Sequence, residues 1–263
     1  VPAKVTNIGG FNNNVLTSVT FENTSDNPSQ LRVIGNFSNN QLTEFEIPSQ
    51  VGRIVADGLS YNRLTTVTIP NNIIEIGDRT FYHNQINNLT ISSNVIEIRP
   101  QAFAKNQLTS VTIPKNVVTI GEEAFNDNGM TDVVFEGADN NTSKLTTIGN
   151  ASFRKYSDDS NPNKITSVVI PSSVVTIGDN AFADNVLTSL EFKGIDDGTS
   201  KLTTIEDYAF GGNNLTSVVI PSKITGIGQI VFYKNPNLTT ITIKKADSSG
   251  ITLGANWNGS AAV

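Results

Sequence analysis

The sequence contains no cysteine. That absence excludes disulfides, thiolate nucleophiles and cysteine-based zinc sites. Histidine is nearly missing as well, since His83 is the only one. A histidine-rich metal site is therefore excluded, and a Ser-His-Asp constellation would have to be closed by His83 itself, which sits at a variable bend. Basic residues are few and form no run: 18 Lys and Arg stand against 24 Asp and Glu, for a net charge of -6. Such a balance disfavours a surface that tracks nucleic-acid phosphates or one that lies on acidic headgroups. No apolar run approaches the roughly 20 residues of a membrane-crossing helix. Val1-Pro2-Ala3 is not the start of a signal peptide, so any such segment is expected to have been removed or never to have existed.

What the chain has in abundance is one recurring phrase. LTSVTIPKNVVTIGEEAF, from Leu108 to Phe125, returns as LTTVTIPNNIIEIGDRTF from Leu64, ITSVVIPSSVVTIGDNAF from Ile165 and LTSVVIPSKITGIGQIVF from Leu215. Its final phenylalanine falls at Phe11, Phe37, Phe81, Phe103, Phe125, Phe153, Phe182, Phe210 and Phe232, with Leu59 in the one missing slot. The spacings are 26, 22, 22, 22, 22, 28, 29, 28 and 22, so the basic period is 22. Three repeats carry a lengthened link: FENTSDNPSQL from Phe21, FEGADNNTSKL from Phe135 and FKGIDDGTSKL from Phe192. A fourth places its extra residues after Phe153, in RKYSDDSNPNK. Insertions that leave the register intact belong in surface loops.

With Leu108 as position 1, the apolar residues Leu108, Val111 and Ile113 alternate with Ser and Thr as a half-buried strand does. Pro114 ends that strand by removing a ladder donor. Val117 and Ile120 mark a second, shorter extended segment, Gly121 permits a turn, and Ala124-Phe125 reads as a single helical or 3₁₀ turn whose ring plugs the interior. Position 21 is Asn14, Asn40, Asn62, Asn84, Asn106, Asn128, Asn185, Asn213 and Asn235, with Tyr156 as the exception. A side-chain amide at one bend of every coil can donate to and accept from the neighbouring coil, and we read these residues as an asparagine ladder rather than as ligand-binding amides.

One 22-residue coil cannot bury its own Leu, Val, Ile and Phe, whereas ten stacked copies form a continuous apolar column. At a strand spacing of roughly 4.8 Å the stack is about 50 Å long. These words resemble the BspA-like class of leucine-rich repeats, whose pattern is approximately L-x-x-L-x-I-P-x-x-V-x-x-I-G-x-x-A-F. The resemblance runs from about Val5 to about Ile243. It implies a right-handed, β-rich leucine-rich repeat solenoid, with a parallel sheet on the concave face and short strands and short helical or 3₁₀ turns elsewhere. It also implies a secreted or cell-surface bacterial protein that binds host or matrix proteins or other cells. Position 21 departs from the resemblance, being often Cys or another small polar residue in that class. The expected domains are a solenoid over residues 1–243 and, over residues 244–263, either a cap in which Trp257 covers the open end or a truncated repeat.

Catalytic signals are thin. Glu44 and Glu46 are the nearest thing to a carboxylate pair, but their lateral neighbours are hydroxyl residues, and Asp132 and Glu191 lie on other rungs. The acidic stretches ADNNTS, YSDDSN and IDDGTS lack calcium-loop spacing, and Gly226-Ile227-Gly228 lacks the third glycine of a dinucleotide loop. No catalytic, metal or cofactor residue is assigned. Triplets such as Asn23-Thr24-Ser25, Asn88-Leu89-Thr90 and Asn141-Thr142-Ser143 matter only in a host that glycosylates exported chains.

The outward positions 3 and 5 are then the expected working face: Glu44, Glu46, Thr66, Thr68, Asn88, Thr90, Ser110, Thr112 and Asp132. The expectation is a non-catalytic domain that holds a protein or glycan of a host, matrix or neighbouring cell through this face or through the lengthened links. The alternative is a stiff spacer within a larger surface protein. Ice binding is opposed by the Glu, Asn, Asp and Val that interrupt the threonines, and an enzyme on a parallel β-column would need clustered acids that are not found.

Overall fold

The computed structural model describes residues 1–22, 28–156, 162–245 and 251–258. Each coil has three sides. In the coil that begins at Leu108, the strand Ser110–Ile113 buries Val111 and Ile113 and exposes Ser110 and Thr112. Pro114 ends it and accepts a turn hydrogen bond from Val117 N–H at 3.0 Å. The chain then runs through the two-residue strand Thr119–Ile120, with Ile120 fully buried, and leaves the second side at Gly121.

All pairing between coils is parallel. The continuous sheet is the narrow one: eight two-residue strands from Glu75–Ile76 to Thr252–Leu253 form a single ladder, preceded by a three-stranded ladder of Asn7–Ile8, Val33–Ile34 and Arg53–Ile54. The longer strands, by contrast, bond two by two, as Thr66–Thr68 with Asn88–Thr90 and Ser110–Ile113 with Asp132–Phe135. At several corners of the narrow side glycine permits a very close approach. A Cβ built on Gly149 would lie 2.6 Å from Ile120 O and 2.7 Å from Gly121 C, a separation only glycine allows. Backbones stacked that closely hold the short strands at hydrogen-bonding distance.

The third side corrects an expectation. Ala124-Phe125 was expected to form a helical or 3₁₀ turn, yet among the described residues every regular element is a strand. Instead, Ala124 N–H donates to Gly121 O at 3.4 Å and Asn126 N–H to Glu123 O at 3.2 Å. Glu123 and Asp127 adopt left-handed conformations with φ of 52° and 50°. These turns direct every second N–H along the column, so that Gln101, Phe103 and Lys105 donate to Glu122, Ala124 and Asn126 of the next coil at 2.8, 2.9 and 3.1 Å. A helical turn would have spent those groups within its own coil.

Inside, the plug residues form the expected column. From Phe81 to Phe232 successive rings are stacked, with centroids 5.3, 5.5, 5.4, 5.2, 5.6 and 5.8 Å apart. All of these rings are buried, and so is Leu59, which interrupts the stack between Phe37 and Phe81. Phe11, in the first coil, stacks on Phe37 from one side only and remains 42% exposed.

The asparagines complete the frame. Asn106 Nδ2 donates to Phe103 O of its own coil and to Phe81 O of the preceding one, both at 3.0 Å, and its Oδ1 accepts Ile86 N–H at 3.0 Å. Asn40, Asn62, Asn84, Asn128, Asn185, Asn213 and Asn235 repeat the arrangement. Asn14, in the first coil described, donates to Phe11 O and Asn12 O of its own turn, both at 3.1 Å. The supposed exception at Tyr156 is a miscount across the insertion: Asn163 occupies the ladder, donating to Phe125 O at 3.1 Å and Phe153 O at 3.3 Å and accepting Met130 N–H at 3.0 Å. In the segment after Ile243, Thr252–Leu253 pairs with Gly226–Ile227, Phe232 N–H donates to Trp257 O at 3.1 Å, and Trp257 packs on the core.

Candidate binding face and edge cleft

On the side of the longer strands, pleating turns alternate residues outward, and parallel pairing sets them in lateral rows. Thr66 stands beside Asn88 and Thr68 beside Thr90, while Asp132 stands beside Ser110 and Val134 beside Thr112. The rows continue through Ser167 with Ser189, Val169 with Glu191, Ser217 with Thr240 and Val219 with Thr242. The seven residues named on this face from Thr66 to Asp132 are all exposed. Glu44 and Glu46 are exposed too, but they lie on no assigned strand; with Val19, Thr20, Phe21 and Pro48 they line a separate hollow of about 320 Å³. Placing them on a paired strand was therefore incorrect, because the coil on either side supplies no ladder partner there.

Two of the lengthened links converge at one edge of this face. The links from Phe135 and Phe192 belong to alternate coils, and the short link between them, through Pro171, leaves room for both. They are built alike. Asn140 Oδ1 accepts from Thr142 N–H at 3.3 Å and Thr142 Oγ1 at 2.6 Å, and Asp197 Oδ1 accepts from Thr199 N–H at 2.9 Å and Thr199 Oγ1 at 2.7 Å. The hydrogen bond from Thr199 N–H holds the Asp197 carboxyl below its usual range. Gly137 and Gly194 supply the left-handed corners, with φ of 77° each.

The links are tied across the intervening coil. Lys193 Nζ lies 2.7 Å from Glu191 Oε1 and 2.9 Å from Asp139 Oδ1, and Ser172 Oγ donates to Asn141 Oδ1 at 2.8 Å. Hydrogen bonds to Glu191 and then to Asp139 hold the Lys193 ammonium above the ordinary lysine range. Along the second link, toward the coils of Ser217 and Lys244, opens a cleft of about 530 Å³, lined by Leu190, Ile195 and Val219 together with Glu191 and Lys244 and reached by Asp139 of the first link. Sequence reasoning named the links but missed Lys193 as their tie, since no sequence signal pairs it with Asp139 across a coil.

The remaining candidates fall elsewhere. His83 is on the turn side, its ring 5.0 Å from that of Tyr61 and 6.1 Å from that of Tyr82. Among the described residues no three His, Cys, Asp or Glu side chains are grouped to hold a metal ion. Asn140 Oδ1 and Asp197 Oδ1 are each engaged by the threonine of their own turn. The stretch from Tyr156 to Asn161, the link through Asn23 to Asn27 and the triplet Asn23-Thr24-Ser25 lie wholly or mostly outside the described residues.

Against known proteins, the chain matches the BspA type Leucine rich repeat region, in 6 copies, over residues 33–159 and 159–252. No protein of curated function matches the sequence. Among solved structures it is similar to the pneumococcal vaccine antigen PcpA, with a TM-score of 0.55 and 20% identity, over 92% of this chain and 71% of that one. It is also similar to a leucine-rich repeat protein from Bacteroides ovatus, with a TM-score of 0.56 and 17% identity, over 97% of this chain and 74% of that one. At these identities the likeness speaks for the fold alone.

Proposed function

Because the chain belongs to the BspA-type leucine-rich repeat family, we propose that it is a non-catalytic interaction domain of a cell surface, which holds a protein or glycan partner against its hydroxyl-rich face and the adjoining cleft. The observation that carries this reading is the cleft. A concavity of about 530 Å³, in which Leu190, Phe192, Ile195 and Val219 alternate with charged side chains such as Asp139, Glu191, Lys193 and Lys244, has the size of a recognition site. Lys193 and the Asx-type turns fix its walls before any partner arrives, which lowers the ordering cost of binding. The rows through Thr66, Thr68, Asn88, Thr90, Ser110, Thr112 and Asp132 extend it with donors and acceptors but contain neither aromatic residues nor arginine, so they are suited to breadth of contact rather than to anchoring.

The test replaces the link from Glu136 to Lys144 by the short link of the neighbouring coil and measures saturable binding to arrayed glycans and to immobilised matrix proteins. The expected result is saturable binding by the parent chain to one of the two classes and its loss in the shortened variant. Parent binding that survives the deletion refutes the cleft. The spacer reading is favoured by one feature, the continuity of the phenylalanine and asparagine ladders from Phe81 to Asn235. Under it, removing whole repeats changes the reach of attached domains while shortening the link changes nothing.

A further inference from the structure

The narrow side of the column has a seam. Beyond Glu75 successive rungs are bonded, as Ile96 N–H to Ile74 O at 2.8 Å and Arg99 N–H to Ile76 O at 2.9 Å. Between Arg53–Ile54 and Glu75–Ile76 the ladder stops, and the two strands belong to different sheets. The turn side stays joined at the same level, where Asp57 and Leu59 donate to Asp78 O and Thr80 O, each at 2.9 Å. One departure from the repeat is peculiar to this level: Leu59 replaces the phenylalanine plug. A Cβ built on Gly77 would lie 3.5 Å from Ile54 O, against 2.6 Å from Gly149 to Ile120 O. The coils therefore stand farther apart, and a hollow of about 440 Å³ opens, lined by Gly52, Arg53, Ala56, Ile74, Gly77 and Arg99 among others.

Beside the hollow runs a stripe of exposed aliphatic side chains on consecutive rungs: Ile74 at 55%, Ile96 at 46% and Val118 at 36% exposure. Branched apolar residues aligned on one face mark a contact surface more than a solvated one. Charges flank the stripe. Arg53 has no acidic partner among the described residues, whereas Glu97 lies 3.3 Å from Arg99, which also reaches Asp78 at 3.1 Å and Glu75 at 3.8 Å.

We propose that this side is the interface of a twofold dimer of the chain. Gly52, Ile74 and Ile96 share one repeat position on successive coils, as do Arg53, Glu75 and Glu97. A twofold axis along the strand Glu75–Ile76 reverses the order of the coils, so Ile74 meets its own copy, Ile96 stands over the hollow at Gly52, and Glu97 faces Arg53. Each contact away from the axis occurs twice, as an isologous interface requires. Arg99 keeps Asp78 and Glu75 when Glu97 turns to the partner, and it screens Glu75, which meets its copy at the axis. A second copy is the fitting occupant because knob and hole, and anion and cation, lie on one surface one coil away on either side of the same rung.

Sedimentation velocity of the chain from low to high micromolar concentration tests the proposal. The expected result is a reversible monomer–dimer equilibrium. Arg53→Glu and Glu97→Arg should each weaken it by about tenfold or more, as should Ile96→Asp, while the double variant Arg53→Glu with Glu97→Arg recovers it. Thr112→Asp, on the opposite sheet face, should leave it unchanged. Arg53, Ile96 and Thr112 are exposed and Glu97 is half-buried, and the circular dichroism of each variant should match that of the parent. A chain that stays monomeric throughout, or single variants whose loss the double variant does not recover, overturns the proposal.

Discussion

Replacing Asn106 by alanine tests the ladder where its bookkeeping is most complete. Asn106 is 3% exposed and makes four hydrogen bonds. Three of its acceptors are shared: Phe81 O also accepts from Asn84, Phe103 O from Asn128 and Ala104 O from His83 N–H. Only Ile86 N–H has Asn106 Oδ1 as its single partner. The loss is therefore one orphaned buried donor at about 2 kcal/mol plus weakened carbonyl bonding at about 1 kcal/mol, or about 3 kcal/mol together. Asn106→Asp should cost more at neutral pH. It restores the acceptor but aims a carboxylate at three carbonyls, so its folded pKa rises above the unfolded value near about 4. Its penalty is then smallest at low pH and grows as pH rises through the folded pKa, because the folded state holds the proton more tightly. Urea denaturation of both variants at several pH values, with the exposed Asn87→Ala as control, reads these quantities. A loss for Asn106→Ala within about 0.5 kcal/mol of the control would refute the reasoning.

Asn163→Ala should cost as much as Asn106→Ala, whereas Tyr156→Phe, which removes one hydroxyl contact with Glu123, should cost less than about 1 kcal/mol; equal losses would return Tyr156 to the ladder. Gly149→Ala drives a methyl into backbone and should cost more than about 2 kcal/mol, while Gly226→Ala, with only Thr204 Cγ2 at 3.8 Å, should change the melting temperature little or raise it. Burial, then contact with Glu123 in one case and with the charge of Asp184 in the other, pushes the phenols of Tyr156 and Tyr208 up to about 12. Folded pKa values raised above the ordinary value near about 10 confer stability that is present below that pH and lost as pH rises toward 12. Ultraviolet titration should accordingly show a late-ionising class of tyrosines, and uniform ionisation of all five near the ordinary value would contradict the structure.

The recurrence of one phrase was enough to place Leu108, Val111, Ile113 and Phe125 inside and Ser110 and Thr112 outside. It was enough for the asparagine ladder as well. Every coil meets nearly the same coil above and below, so a one-dimensional period already encodes its three-dimensional neighbours. Where the period is broken, that shortcut fails. Asn163 was legible only by counting back two residues from Ile165, as Asn106 precedes Leu108, because the insertion lies between plug and bend. The left-handed turns at Glu123 and Asp127 were hidden because local sequence suggests a helical turn, while the acceptors that decide the matter belong to the next coil. Lys193 tied to Asp139, Ile74 set beside the hollow at Gly52, and the seam beneath Leu59 arise from how far one coil stands from another. That distance is set by packing between coils and is carried by no single repeat.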